Sequence, residues 1–265
     1  MVEYELNEDG SGTINNILER KNYISRKAIK QRGAGQRGER LEQVIAANID
    51  NLFIITSIYK PQFNNKFLDR LLVVGESSHI DTTIIINKID LDNSELPWFW
   101  KEFYNEIGYE VILTSVKKNL GMELLLKKIK GSKNIFWGQS GVGKSSLLNC
   151  LFPDLNLKTS SVSDYSNKGK HTTVTSSMIN LGSNTFVIDT PGIREIDPYG
   201  ISKENLGHYF KDFLPYINDC KFNTCTHHHE PGCAIIENVE SENITPERYK
   251  SYRNMLDTIE EGIIF

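Results

Sequence analysis

"KNIFWGQSGVGKSSLLNCLF", residues 133–152, reads as a buried strand, a glycine loop and a helix in immediate succession. The loop "GQSGVGKS", Gly138 to Ser145, has two glycines five positions apart followed by Lys and Ser. Glycines let backbone N–H groups curl around phosphate oxygens, and the helix amino terminus adds partial positive charge. The expected phosphate-contacting set is Gly138, Gly141, Val142, Gly143, Lys144, Ser145 and Ser146. Lys144 should reach the β- and γ-phosphates, and Ser145 should give its hydroxyl oxygen to Mg²⁺.

Upstream of this unit the chain alternates. "NLFIITS" (51–57), "DTTIIIN" (81–87) and "EVILTS" (110–115) read as strands. "NNKFLDRLLVVGESS" (64–78), "LPWFWKEFYNEIG" (96–108) and "GMELLLKKI" (121–129) read as helices. That rhythm predicts an α/β fold on a largely parallel sheet. Downstream, "SMINLGSNTFVIDT" (177–190) predicts a hairpin. From residue 199 the pattern predicts a helix, a cysteine and histidine loop, and a last helix in "TPERYKSYRNMLDTIEEG" (245–262). The amino-terminal pieces "VEYEL" and "GTINNIL", separated by "NEDGSG", predict a small β unit. Three parts follow: residues 1–45, 46–198 and 199–265.

The 265 residues carry 39% hydrophobic and 24% charged side chains, ordinary for a globular chain. No apolar run approaches the roughly 20 residues of a membrane span, and the amino terminus is acidic, so a cytoplasmic protein without membrane attachment is expected. The net charge is −4, yet residues 19–40, "ERKNYISRKAIKQRGAGQRGER", concentrate Arg and Lys. That stretch fits a solvated loop and a phosphate-binding surface equally well. Cys150, in the helical "SSLLNCLF", reads as a small buried apolar residue.

The phosphate loop serves ATP and GTP alike, and "NKID", residues 87–90 at a strand end, selects between them. Asp90 there is placed to accept from the ring N–H and exocyclic amine of guanine, a pairing adenine does not satisfy. Asn87 and Lys88 would brace the pocket and cover the base. Ser115 and Val116, ending the next strand, offer backbone N–H groups to the guanine carbonyl. In "FVIDTPG", Asp189 is expected to hold Mg²⁺ through water and Gly192 to meet the γ-phosphate. Thr172 and Thr173, in the polar stretch between, are the candidate switch threonines on Mg²⁺.

The base motif precedes the phosphate loop, the reverse of the usual order. A sheet brings motifs together irrespective of chain order, so cutting the fold at one loop and joining the old termini preserves the pocket. The chain therefore reads as a circular permutant. The strand of "FVIDTPG" then leads straight into the carboxy-terminal part, so nucleotide state could be passed to it. Ile193 occupies the position where many GTPases carry a water-orienting Gln, which predicts slow turnover stimulated by a partner. His171 is the nearest alternative for that role, so the candidate catalytic set is His171, Lys144 and Thr173.

Cys220, Cys225, His227 and Cys233, in "CKFNTCTHHHEPGC", supply three thiolates and one imidazole at short spacing. Such a set closes a tetrahedral Zn²⁺ shell and predicts one structural ion. His228 and His229 compete with His227 for the imidazole role.

Taken together, the guanine motif ahead of the phosphate loop, "GKHTT", "DTPGI" and "C-x4-C-x-H-x5-C" with "EPGC" resemble the RsgA family of circularly permuted bacterial GTPases. "EQVIAANIDNLFIITS" (42–57) extends the resemblance. It implies an amino-terminal OB-fold, a permuted P-loop GTPase domain and a carboxy-terminal helical zinc domain. It also implies a protein using GTP/GDP, Mg²⁺ and Zn²⁺, bound to the small ribosomal subunit and its rRNA late in maturation, with ribosome-stimulated hydrolysis timing release; the sequence leaves oligomeric state open, with a monomer as the default expectation. The segment before residue 45 is short for a five-stranded barrel, so a partial OB-like unit is expected. The competing reading is a nucleotide-gated RNA-binding scaffold whose GTP turnover is incidental.

Overall fold

A computed structural model describes residues 1–27, 41–155, 157, 177–189 and 199–259. At the amino terminus β1 (Val2–Leu6) and β2 (Gly12–Ile17) pair antiparallel through the turn at 7–11. The ribbon is exposed along both strands. A second antiparallel pair, β3 (Tyr23–Lys27) and β4 (Glu42–Ala47), is anchored by Ile24 and Ala46, which join the main core. β4 runs across the expected boundary at residue 45. Among the described residues these four strands form two separate two-stranded sheets rather than a closed barrel.

Period-two burial along the following strands sets the layers of the central unit. β5 (Asn51–Ser57) turns Leu52 and Ile54 to one face and Phe53 and Ile55 to the other. β6 (Asp81–Asn87) divides Ile84 and Ile86 from Ile85 in the same way. The first face packs against α1 (Asn65–Ser77) and α2 (Leu96–Glu106). The second packs against α3 (Met122–Ile129) and α4 (Lys144–Leu151). Burial on both faces explains why these strands read as near-continuous β-branched runs.

With β7 (Glu110–Leu113), β8 (Lys133–Gly138), β9 (Ser177–Asn180) and β10 (Phe186–Asp189), the sheet has the order β7-β6-β5-β8-β10-β9. All neighbours are parallel except the β9–β10 hairpin. The α/β class and the parallel sheet are therefore as expected. From β5 the chain moves outward to β6 and β7; α3 and residues 130–132 return it to the far side of β5 as β8. The chain leaves β5 and β8 in opposite directions, which opens a crevice at their carboxyl ends. The phosphate-loop sequence starts at that crevice.

The carboxy-terminal part differs from its sequence reading in two respects, the form of its first helix and an additional short one. The helix expected before the cysteines is two 3-10 turns, Leu206–Tyr209 and Ile217–Asp219. Pro215 lacks the N–H that an α-helix needs, and Gly207 sits where a side chain would strike His227. A short helix, α5 (Ala234–Glu240), follows Cys233 directly, ahead of α6 (Pro246–Leu256). Phe210, Phe213, Ile235, Ile244, Tyr252 and Met255 form a core there, and Val73 of α1 is packed into it.

Candidate nucleotide site and metal centre

Strand register brings the motifs to one edge. Ser57 lies opposite Asn87, so β5 and β6 end level, and Ile55 lies opposite Gly138, so β8 ends two residues earlier and gives way to the phosphate loop beside them. Gly138 is required by proximity, since a Cβ there would stand 2.1 Å from the Ile55 carbonyl oxygen. Gly143 has φ +98°, and its Cβ would stand 2.4 Å from Asn87 Nδ2. Asn87 is buried; its Nδ2 donates to the Val142 carbonyl at 2.9 Å, and its Oδ1 accepts from the Thr114 hydroxyl at 3.0 Å. The base motif is thus hydrogen-bonded to the phosphate loop although 55 positions separate the partners.

Lys88 takes a left-handed φ of +62° and aims Nζ at the Lys60 carbonyl, 2.6 Å away, and at the Gly141 carbonyl. Burial lowers its pKa. Asp90 accepts a 2.6 Å hydrogen bond at Oδ1 from the Ser115 hydroxyl, whose oxygen accepts in turn from the Lys118 N–H at 3.1 Å. The Ser115 N–H itself donates to the Leu120 carbonyl at 3.1 Å, so this serine meets the base motif through its hydroxyl. Val116 is half-buried against the α3 and α4 cluster.

Lys144 Nζ lies across the loop, donating to the carbonyls of Gly138 at 2.8 Å and Gln139 at 2.9 Å. Gly141 is exposed, Val142 and Ser145 are buried, and Ser146 is half-buried in the first turn of α4. β10 pairs with β8 and ends at Asp189, beside the strand that carries the loop. His171, Thr172, Thr173, Gly192 and Ile193 lie outside the described residues.

The sulfurs of Cys220, Cys225 and Cys233 and a ring nitrogen of His227 all lie within 4.8 Å of one another. His227 Nδ1 is 3.5 Å from both Cys220 Sγ and Cys233 Sγ, and those sulfurs are 4.0 Å apart. Tetrahedral Zn²⁺ with ordinary bond lengths needs donor separations of about 3.5–3.8 Å, so the cluster fits the ion. The geometry selects His227: it is buried, whereas His229 is exposed and His228 Nε2 faces Arg253 at 2.8 Å. Burial pushes the Cys225 thiol up to about 12 and raises Cys233 as well. A divalent cation would supply the charge that makes them thiolates. Burial lowers the His227 pKa, keeping the imidazole neutral and able to ligate.

Backbone bonds shape this loop. Tyr249 and Tyr252 of α6 donate to the carbonyls of His227 at 2.9 Å and Thr226 at 2.6 Å. Glu230 accepts from the Thr226 N–H and hydroxyl and from the N–H groups of His228 and His229. Burial opposes its charge, but these bonds outweigh it and hold the carboxyl well below the usual range. Sequence reasoning missed Glu230, which stands in the quoted loop as a lone acid among donors. It also missed the hydroxyl of Ser115 as the partner of Asp90.

A family model for the RsgA GTPase matches residues 17–199. The chain belongs to the RsgA GTPase family. The small ribosomal subunit biogenesis GTPase RsgA of Chlorobaculum parvum is 41% identical over 254 residues, 96% of this chain and 81% of that protein. The small ribosomal subunit biogenesis GTPase RsgA 2 of Bacteroides thetaiotaomicron is 37% identical over 264 residues, 98% of this chain and 83% of that protein. Among solved structures, YjeQ from Thermotoga maritima superposes with TM-score 0.76 at 32% identity, over 97% of this chain and 81% of that one. YloQ, described as a circularly permuted GTPase, gives TM-score 0.71 at 30% identity, over 97% and 78%. This chain is thus a GTPase of the RsgA family with a permuted motif order, and it binds guanine nucleotide. No helix among the described residues is long and apolar enough to cross a membrane.

Proposed function

We propose that this GTPase acts in the cytoplasm as a monomer on the small ribosomal subunit and its rRNA, late in subunit maturation, with hydrolysis stimulated by the subunit and timing release. The observation that carries the reading is the shared name of its relatives, small ribosomal subunit biogenesis GTPase RsgA, at near-complete coverage of this chain. In this reading residues 1–45 are a partial OB-like unit, 46–198 the permuted GTPase domain and 199–265 the zinc domain.

Guanine is read by Asp90, with Asn87, Lys88, Ser115 and Val116 around the base. Gly138 to Ser146 hold the phosphates; Lys144 balances charge on the β- and γ-oxygens. Ser145, Thr172, Thr173, Asp189 and Gly192 serve Mg²⁺ and the γ-phosphate, and His171 orients the attacking water. Cys220, Cys225, His227 and Cys233 hold one structural Zn²⁺. Support comes from the Asn87–Val142 and Lys88–Gly141 bonds, which tie the base motif to the loop before any ligand is considered.

Turnover of GTP should rise severalfold or more when purified small subunits are added, and Lys144→Ala should lose at least about a hundredfold of that rate, since the lysine balances charge that grows on the transferring phosphoryl. His171→Ala should lose the stimulated rate while keeping GTP affinity. Subunit binding without any stimulation would favour the scaffold reading and sink this one.

Ser115→Ala gives a separate test of base recognition. Its hydroxyl orients Asp90, and a hydrogen bond to a charged group contributes roughly 1.5 kcal/mol when partly shielded. GDP affinity should fall about tenfold with zinc content unchanged. Unaltered affinity in a fluorescent-GDP titration would mean that Asp90 needs no such brace.

A further inference from the structure

A cleft of about 470 Å³ lies away from the nucleotide motifs, where three parts of the chain meet. β3 and the residues before it supply Arg20, Lys21 and Tyr23; the end of α1 supplies His79; the segment after residue 198 supplies Tyr199 and Tyr209. α1 starts near the carboxyl edge of the sheet and runs 13 residues toward the opposite edge. At 1.5 Å per residue, that separates the cleft from the guanine site by about 20 Å.

The lining combines two chemistries. Arg20 and Lys21 are cations at its rim; Lys21 reaches Asp50 only at 3.8 Å with its side chain 74% exposed, which leaves the ammonium accessible to another anion. The Arg20 guanidinium lies 5.6 Å from the Tyr23 ring centroid, and Tyr23 and Tyr199 are both exposed. Among the described residues Glu42 is the one acid on the wall, so their balance is positive while an acceptor remains for an amino or hydroxyl donor. Exposed aromatic faces beside cations suit a stacked base and its phosphate, and the volume falls within the roughly 300–1,000 Å³ of ordinary ligand sites.

We infer that this cleft binds one unstacked nucleotide of a single-stranded RNA, with the base on a tyrosine face and the phosphate on Arg20 and Lys21. The inference rests on the RNA-facing reading above but is tested without ribosomes. The full chain, saturated with GDP so that the guanine site is filled, is titrated against fluorescein-labelled octauridylate and read by anisotropy. Tyr199→Ala should weaken binding about tenfold and Tyr199→Phe should retain it, because stacking needs the ring alone. Arg20→Ala combined with Lys21→Ala should weaken binding and flatten its salt dependence. GDP affinity and zinc content, unchanged in every variant, show that the fold is intact.

Wild-type affinity in both Tyr199→Ala and the double variant overturns the proposal, as does a wild-type chain that leaves the RNA unbound. Displacement of the label by millimolar UMP supports the one-nucleotide chemistry of the cleft. Absence of ribosomal stimulation together with tyrosine-dependent RNA binding removes the proposed function alone.

Discussion

Cys225→Ser should unfold the carboxy-terminal module while leaving the parallel sheet folded and competent for GDP. Between residues 199 and 259 the regular structure consists of α5, α6 and two 3-10 turns, so most of that segment is held by its loops. Its core is a single cluster around Phe210, Phe213 and Tyr252, which includes Cys225 and Cys233 themselves. A structural zinc contributes on the order of 10–16 kcal/mol in small modules of this kind. Removing one of four ligands forfeits most of that and leaves buried polar atoms with no cation to face. Hydrogen exchange should show residues 220–256 losing protection in the variant, or in wild type stripped by a chelator. β5, β6 and β8, buried between two helical layers, should keep theirs. If residues 220–256 stay protected after the metal has left, the apolar cluster holds the module and the ion is dispensable.

What was legible in the sequence follows from how far apart the interacting groups lie along the chain. β5, β6 and β8 read clearly because a parallel strand covered on both faces must be β-branched or apolar along its buried length, as "FIIT" and "TTIII" are. The phosphate loop was readable because strand, glycines and lysine are contiguous. The metal ligands were readable because thiols crowd into 14 positions, 220–233. The choice among His227, His228 and His229 was not, since spacing alone satisfies all three; Gly207, on a different turn, gives His227 its room. α5 was missed because seven residues hold too few repeats to show a helical period. The exposed apolar face of β1 and β2, with Tyr4 paired to Ile14 and Val2 to Ile17, alternates as a buried ribbon would. Pattern reports which residues share a face; what covers that face is a tertiary matter.

Arg248→Ala is expected to weaken the docking of the carboxy-terminal module on α1 by about 3–5 kcal/mol, the usual cost of breaking a buried ion pair from one side. Arg248 Nη1 lies 2.5 Å from Asp69 Oδ1 on α1, and Nη2 lies 2.8 Å from Asp212 Oδ1. Tyr104 of α2 donates to the same Asp69 oxygen at 2.9 Å, and the guanidinium sits 4.6 Å from the Phe210 ring. Asp69 and Arg248 are 179 positions apart and almost wholly buried, so no local pattern could announce them. Burial opposes the Arg248 charge, but Asp69 and Asp212 outweigh it and keep the guanidinium protonated. The damage in the variant comes from Asp69, left ionised with its counter-charge gone. Burial already raises the Asp69 pKa, and losing Arg248 raises it further. A carboxyl whose folded pKa exceeds its unfolded one binds more protons folded, so stability is regained as pH falls toward the unfolded value near 3.9. The deficit relative to wild type should therefore shrink from pH 8 to pH 5, measured as hydrogen-exchange protection of α6. Adding Asp69→Asn should remove the pH dependence and recover part of the loss. A deficit that is the same at both pH values would show that Arg248 acts through its packing on Phe210, with its charge contributing little.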